Sequence, residues 1–261
     1  FNGNRQAWVQ VSFLLSQRVV GCPGAHQQPK VRVECQLASN TGSDQSISLV
    51  LTRNINWRDK TILRPCSLRF ESGENILITG PSGGGKTTFL RCFAGLVDSF
   101  ECMSVDGKGS AGLIDLRSYW ARIGYVSHDG KVFGESIGEI FDISNFVRAN
   151  FLIDLLDQLN ITSILLDGPL LSLDAKPVVG SEFWSFGQMQ RVKLVRALIQ
   201  SPTVLLLDEA VSGLPESSRR EVGAVIKNSG VSIVVEVAHG AGCFENYDRQ
   251  LFVDGGVVLE T

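Results

Sequence analysis

Residues 80 to 88 read Gly80-Pro81-Ser82-Gly83-Gly84-Gly85-Lys86-Thr87-Thr88, the G-x-x-x-x-G-K-[ST] spacing of a loop that holds phosphate. The chemistry follows from the residue types. Glycines let successive backbone N–H groups converge on one concavity and take positive φ without strain, so phosphate oxygens can approach the main chain closely. Lys86 supplies a positive charge toward the β- and γ-phosphates. The Thr87 hydroxyl is an oxygen donor for a Mg²⁺ whose other ligands are phosphate oxygens and water. A second constellation follows about 120 residues later, where Val204-Leu205-Leu206-Leu207-Asp208-Glu209 is an apolar run ending in two acids. With this strand beside the loop's own strand, Asp208 reaches the Mg²⁺ through its water shell, and Glu209 polarises a water for in-line attack on the γ-phosphate.

These groups need a scaffold, and the hydrophobic pattern supplies one. The apolar residues 75–79 predict a buried parallel strand, and residues 88–96 predict the helix after it, whose N-terminal dipole end faces the same phosphate. Ahead of them, residues 47–51, 61–63 and 66–70 read as short strands of a β-subdomain. Residues 122–126 form another strand candidate. From about 136 to 173 apolar residues recur at helical spacing, which predicts a helical insert. Strand patterns then return at 203–207, 231–237, 250–253 and 257–259, with no internal repeat.

Composition bounds the function classes. A chain of 261 residues with 44% hydrophobic content can bury one large α/β core or two small ones, and its net charge of −3 gives no general attraction to nucleic acid or anionic lipid. The six cysteines lack C-x-x-C spacing, as expected for reduced thiols in a cytosol-facing compartment. No run approaches the ~18 uninterrupted apolar residues of a membrane span. Residues 1–46 read as an amphipathic segment and linker, either a simple leader or the connection from a membrane or partner domain. The start at Phe1 rather than Met predicts a piece of a longer or processed chain.

Trp184-Ser185-Phe186-Gly187-Gln188-Met189-Gln190-Arg191, opening a helix over residues 192–199, resembles the LSGGQ signature of ATP-binding cassette (ABC) ATPases. The following Val192, Leu194, Arg196-Ala197-Leu198 and Pro202, then the acidic strand, are similar to that family in order and spacing. Val235-Glu236-Val237-Ala238-His239 looks like its switch-histidine strand, and the run from Tyr247-Asp248-Arg249 to Gly256 looks like its closing element. The resemblance covers about residues 47–261. It implies an α/β fold with a P-loop NTPase (RecA-like) core, an antiparallel β-subdomain and a helical signature subdomain at about residues 136–200. It implies ATP and Mg²⁺ as ligands and ATP hydrolysis as the activity. It also implies a second cassette as partner, homo- or heterodimeric, in a head-to-tail sandwich. Ser185, Gly187 and Gln188 of one cassette then face the γ-phosphate held by residues 80–88 of the other. His239 links that phosphate to the attacking water, which makes Glu209 and His239 the catalytic candidates. Trp57, ahead of the β-subdomain's second strand, is the candidate for stacking on adenine, with Ile55 as the alternative register.

Three positions depart from the family pattern. His128 stands in place of the Q-loop glutamine, a hinge facing the transmembrane partner, and its imidazole can still bond a metal-bound water. The metal-site candidates are therefore Thr87, Asp208 and His128. Phe186 replaces the first signature glycine, and Ser212-Gly213-Leu214-Pro215 replaces the D-loop S-A-L-D, so an aspartate that helps couple the two sites is missing. Residues 78–83, Ala94-Gly95-Leu96 and Trp184-Ser185-Phe186-Gly187 look most like subfamily D, which includes peroxisomal acyl-CoA transporters and bacterial peptide importers, and residues 132–137 resemble the exporter type. The resemblance implies an ATPase domain that powers transport through a transmembrane domain in cis or in trans, membrane-associated at the cytosolic face, with no nucleic-acid partner expected. Two alternatives stay open: a cassette with weak or no hydrolysis acting as the regulatory half of a heterodimer, and a soluble non-transport ABC ATPase acting on nucleic acid or ribosomes.

Overall fold

Strand alternation decides which side chains fill which half of the molecule. In β8 (Val204–Asp208) every residue is buried. Val204 and Leu206 enter one hydrophobic core, while Leu205 and Leu207 enter another on the opposite face. A strand buried on both faces is the mark of a parallel sheet covered on each side. The computed structural model describes residues 47–51, 54–57, 60–96, 103–105, 119–143, 148–168 and 172–261. The segment and linker expected over residues 1–46 lie outside them.

The central sheet has six strands in the order β11-β10-β5-β9-β8-β7. They are β5 (Asn75–Thr79), β7 (Ile123–Ser127), β8, β9 (Ile233–Val237), β10 (Arg249–Asp254) and β11 (Val257–Glu260). All neighbours pair in parallel except β10 and β11, which form an antiparallel hairpin. Contrary to the expectation from sequence, the strand that ends in Asp208 is not adjacent to the loop strand. β9 comes between them, hydrogen-bonded to β5 on one side and β8 on the other. Periodicity identifies such buried strands but carries no information on their lateral order.

Over one face lies an antiparallel three-stranded sheet, β4-β1-β6, made of β1 (Ile47–Leu51), β4 (Cys66–Phe70) and β6 (Met103–Val105). It shares a core with α1 (Lys86–Phe93), where Phe70 and Phe93 stack with ring centroids 4.7 Å apart. A separate hairpin joins β2 (Ile55–Trp57) and β3 (Lys60–Leu63). The helical insert is present as α2 (Ile137–Phe141), α3 (Ala149–Gln158) and α4 (Thr162–Leu165). These pack with α5 (Phe186–Leu198) and α6 (Glu216–Asn228) in the second core.

Two helices begin earlier than periodicity suggested, and local chemistry explains both. α1 starts at Lys86 because Gly85 caps it with φ of 108°, a conformation open to glycine. α5 starts at Phe186 because Ser185 and Gln188 form a reciprocal capping box, Ser185 Oγ accepting from the Gln188 N–H and the Gln188 side chain accepting from the Ser185 N–H. The signature residues are thus the first turn of α5 rather than a loop ahead of it. α6 reaches its neighbours through Gly223, where a Cβ would stand 2.2 Å from the Cys243 carbonyl oxygen. Gly223→Ala should therefore destabilise the fold by about 1–3 kcal/mol despite alanine's higher helix propensity. Urea denaturation would show this as a lower midpoint, and an unchanged midpoint would contradict the close approach of α6 to residue 243.

Candidate functional site

Four parallel strands end in register at one edge of the sheet. Ile78 of β5 pairs with Val237 of β9, Val237 with Asp208 of β8, and Asp208 with Ser127 of β7. One or two residues beyond these partners come Gly80, His239, Glu209 and His128. The carboxyl ends of parallel strands are where open α/β sheets bind ligands.

The glycine loop is fixed by close packing. Gly80 has φ of 141°, and a Cβ there would lie 2.1 Å from the Val253 carbonyl oxygen. Lys86 is only 5% exposed. Its Nζ donates to the carbonyls of Gly80 at 2.8 Å and Pro81 at 2.9 Å, so its charge is held over the loop's own concavity. Pro81, Ser82 and Gly83 are exposed, Gly84 and Gly85 are buried, and Thr88 is half-buried in the first turn of α1.

Thr87 Oγ1 donates to Asp208 Oδ1 at 3.0 Å, joining the loop to the acidic strand across the intervening β9. The other oxygen, Oδ2, accepts from the Tyr125 hydroxyl at 2.9 Å. Burial raises the Asp208 pKa, while the bonds from Tyr125 and Thr87 and the charge of Arg91 oppose that rise. Burial and the neighbouring Asp208 push the Tyr125 phenol well up, which keeps it a donor. Tyr125 was not among the sequence candidates. A tyrosine within the strand candidate 122–126, with a hydroxyl needing a partner, was the available signal.

Glu209 leaves β8 with φ of 53°, a left-handed conformation uncommon for a non-glycine residue. Its N–H donates to the Val237 carbonyl at 3.0 Å, and its carbonyl accepts from the Ser212 N–H at 3.1 Å and from Ser212 Oγ at 2.8 Å. The turn aims the side chain at His239, whose Nε2 lies 3.1 Å from Glu209 Oε1.

His128 is exposed, and its N–H donates to the Asp208 carbonyl at 2.9 Å. Its own carbonyl accepts from Gln190 Nε2 at 3.0 Å and Lys193 Nζ at 2.9 Å, both from α5. Lys193 also donates to the Ser127 carbonyl at 3.1 Å. The helix that begins with the signature is thereby tied to the acidic strand through one backbone unit. The His128 ring faces Phe186 at a centroid distance of 5.3 Å. Ser185 and Gln188 are engaged with each other, Gly187 packs toward Leu214, and among the described residues no hydrogen bond joins these three to residues 80–88. Pro215 caps α6 at the position of the family's aspartate and offers no side-chain bond.

Trp57 is the last residue of β2, paired with Lys60 of the hairpin, and it precedes the strand expected at residues 61–63, which is β3. The short strand Ile55–Trp57 lacks the length that makes alternation readable. The position of the Trp57 indole lies outside the described part of the structure. Ile55, the alternative, is buried in the β-subdomain core and offers no open stacking surface.

Two measurements check this geometry. Tyr125→Phe leaves a buried carboxylate oxygen without its phenol donor and should cost about 1–2 kcal/mol in urea denaturation; an unaltered stability would mean the bond is not made. Burial draws the Lys193 ammonium from its ordinary 10.5 down to about 8, opposed by Asp129. The folded chain then holds this proton less tightly than the unfolded chain, so stability withheld below pH 8 is recovered as pH rises toward 10.5. The melting temperature of the wild type should therefore climb relative to Lys193→Met across that window, and parallel curves for the two proteins would contradict the burial of the charge.

Residues 63–212, more than half of the 261, match the family described as ABC transporter. An ATP-dependent permease of Candida albicans is 31% identical over 209 residues, which cover 76% of this chain and 30% of that protein. The colicin V secretion/processing ATP-binding protein of Escherichia coli is 25% identical over 252 residues, covering 93% and 36%. An ABC multidrug transporter of Emericella nidulans is 29% identical over 221 residues, covering 80% and 16%. The fold is similar to that of a bacterial Atm1-family ABC exporter with ATP bound, with a TM-score of 0.69 at 23% identity over 97% of this chain and 43% of the other. This chain spans between 16% and 36% of the length of these curated relatives. The likeness to subfamily D rests on the sequence motifs alone. Family match, sheet order and glycine loop agree: the chain belongs to the ABC transporter family and carries its ATP-binding domain.

Proposed function

We propose that this domain hydrolyses ATP to drive the movement of a substrate through a transmembrane domain, encoded in the same chain or supplied by a partner, and works at the cytosolic face of a membrane. The observation that carries this reading is the convergence at one sheet edge of Lys86 over the glycine loop, the Thr87–Asp208 bond and the Glu209–His239 pair. Relatives named for secretion, multidrug transport and permease function support the coupling to transport. Among the described residues no helix is long and apolar enough to cross a membrane.

The chemistry of the site residues follows from their positions. When a triphosphate enters, Lys86 Nζ exchanges the Gly80 and Pro81 carbonyls for phosphate oxygens, and the loop N–H groups receive the rest. Thr87 and Asp208 offer hard oxygen donors that suit Mg²⁺. Thr87 and Asp208 would be the protein groups that hold it, as among the described residues no group of three or more His, Cys, Asp or Glu could hold a metal ion. Mg²⁺ bound there would neutralise charge on the phosphate oxygens. Glu209 accepts the proton of the attacking water, and His239, 3.1 Å away, orients that water and the γ-phosphate. The signature turn, with Ser185 exposed and Gly187 and Gln188 half-buried, faces the nucleotide of a second cassette, with its helix N-terminus toward the γ-phosphate.

A second reading, an ATP-holding regulatory half with slow turnover, draws on Pro215 at the α6 cap and the 45% exposed Phe186 ring at the signature. Two substitutions separate the readings. Lys86→Ala should weaken ATP binding at least about tenfold by calorimetry. Glu209→Gln should preserve binding and lower phosphate release about a hundredfold or more. Equal phosphate release from wild type and Glu209→Gln would favour the regulatory reading and remove Glu209 as the base.

A further inference from the structure

The strand that ends before His239 carries one residue that its surroundings do not explain. On β9, Ile233, Val235 and Val237 enter one core and Val234 enters the other, and Glu236 falls on the face of Val234 with no exposed surface. A carboxyl group in that setting costs several kcal/mol unless its oxygens are satisfied. Among the described residues, all hydrogen-bond partners of its carboxylate come from the loop that follows His239. The Cys243 N–H donates to both oxygens, at 3.2 and 3.1 Å, the Cys243 thiol donates to Oε2 at 2.9 Å, and the Tyr247 hydroxyl donates to Oε2 at 2.5 Å. Burial and the adjacent Glu236 push both the thiol and the phenol upward, so each keeps the proton it donates.

The loop is closed around this group. A Cβ at Gly242 would lie 1.9 Å from the Tyr247 oxygen and 2.7 Å from Glu236 Oε2, so residue 242 must be glycine. From outside, α6 presses Gly223 on the Cys243 carbonyl, and Phe244 meets the Tyr247 ring edge-on at 5.6 Å. Between this packed cluster and the imidazole lie only Gly240, with φ of 95° and open space around it, and Ala241. Gly240 gives little resistance to rotation. Orientation of the imidazole therefore has to come from the strand on one side and the cluster on the other.

We propose that Glu236 is a positioning residue for His239: by gathering the Cys243 N–H, the Cys243 thiol and the Tyr247 hydroxyl, it holds the loop that keeps the imidazole beside Glu209. This rests on the reading of His239 and Glu209 as the groups that act on the attacking water. Loss of the anchor loosens the imidazole without touching the glycine loop, so turnover falls and nucleotide affinity does not.

The chain has three histidines, so its imidazole signals are few enough to assign by NMR. In the full chain, Glu236→Gln and Tyr247→Phe should each shift and broaden the His239 imidazole resonances while leaving those of His128 in place. Phosphate release should show kcat reduced about tenfold or more with KM for ATP unchanged, and no further reduction when either change is added to His239→Ala. Tyr247→Phe keeps the ring against Phe244 and serves if Glu236→Gln does not fold. An unmoved His239 signal in either folded variant, or an equal fold-loss of kcat with and without His239, would overturn the proposal and leave Glu236 a purely structural residue. If His239→Ala alone retains full kcat, the reading of His239 itself fails, a result separable from failure of the anchor because the NMR shifts would still be seen.

Discussion

The parallel register of β5, β9, β8 and β7 is the constraint on which the site depends. Ile78, Val237, Asp208 and Ser127 are cross-strand partners, so the segments leaving those strands emerge side by side although they come from positions 80, 239, 209 and 128 of the chain. Register in a sheet buried on both faces is strongly specified, because a one-residue slip would exchange the two cores and turn Glu236 out of its cluster of donors. The same register places the Thr87 hydroxyl within hydrogen-bond reach of Asp208, which is two strands away from the loop strand.

Polar groups at this edge are satisfied within the protein in a manner suited to exchange. Lys86 bonds two carbonyls of its own loop, and Asp208 shares its oxygens between Thr87 and Tyr125. Buried charges without partners are costly, so a site that must accept phosphate needs internal substitutes that are easily given up. Glu236 is the contrasting case. Its partners are buried and packed by α6, which makes that cluster a fixed support.

Much of this was legible in the sequence because it is written in local patterns. The glycine loop, the acidic run and the apolar strands are contiguous signals, and strands β4 and β5 fall on the expected residues. What was not legible depended on contacts distant in sequence or on weak periodicity. The insertion of β9 between β5 and β8 leaves no mark on any one strand. The bond from Tyr125 to Asp208 spans 83 residues. α6 has apolar anchors confined to its second half, at Val222, Val225 and Ile226, among exposed charges, so its pattern did not stand out. The start of α5 is a local signal as well, the S-x-x-Q capping box of Ser185 and Gln188.

Of the departures, His128 stands at the sheet edge itself, while Phe186 and Pro215 stand at the starts of α5 and α6. His128 keeps its backbone tie to Asp208, Phe186 begins α5 without disturbing the Ser185–Gln188 box, and Pro215 begins α6. None of the three belongs to the glycine loop or to the Glu209–His239 pair. The central claim, that this sheet edge is built to hold a triphosphate, is tested most directly by a crystal structure of the chain with Mg²⁺ and a non-hydrolysable ATP analogue. The triphosphate should lie in the concavity of residues 80–88, with Lys86 Nζ moved from the Gly80 and Pro81 carbonyls onto phosphate oxygens. An analogue bound elsewhere, or one bound while Lys86 keeps both carbonyl bonds, would contradict it.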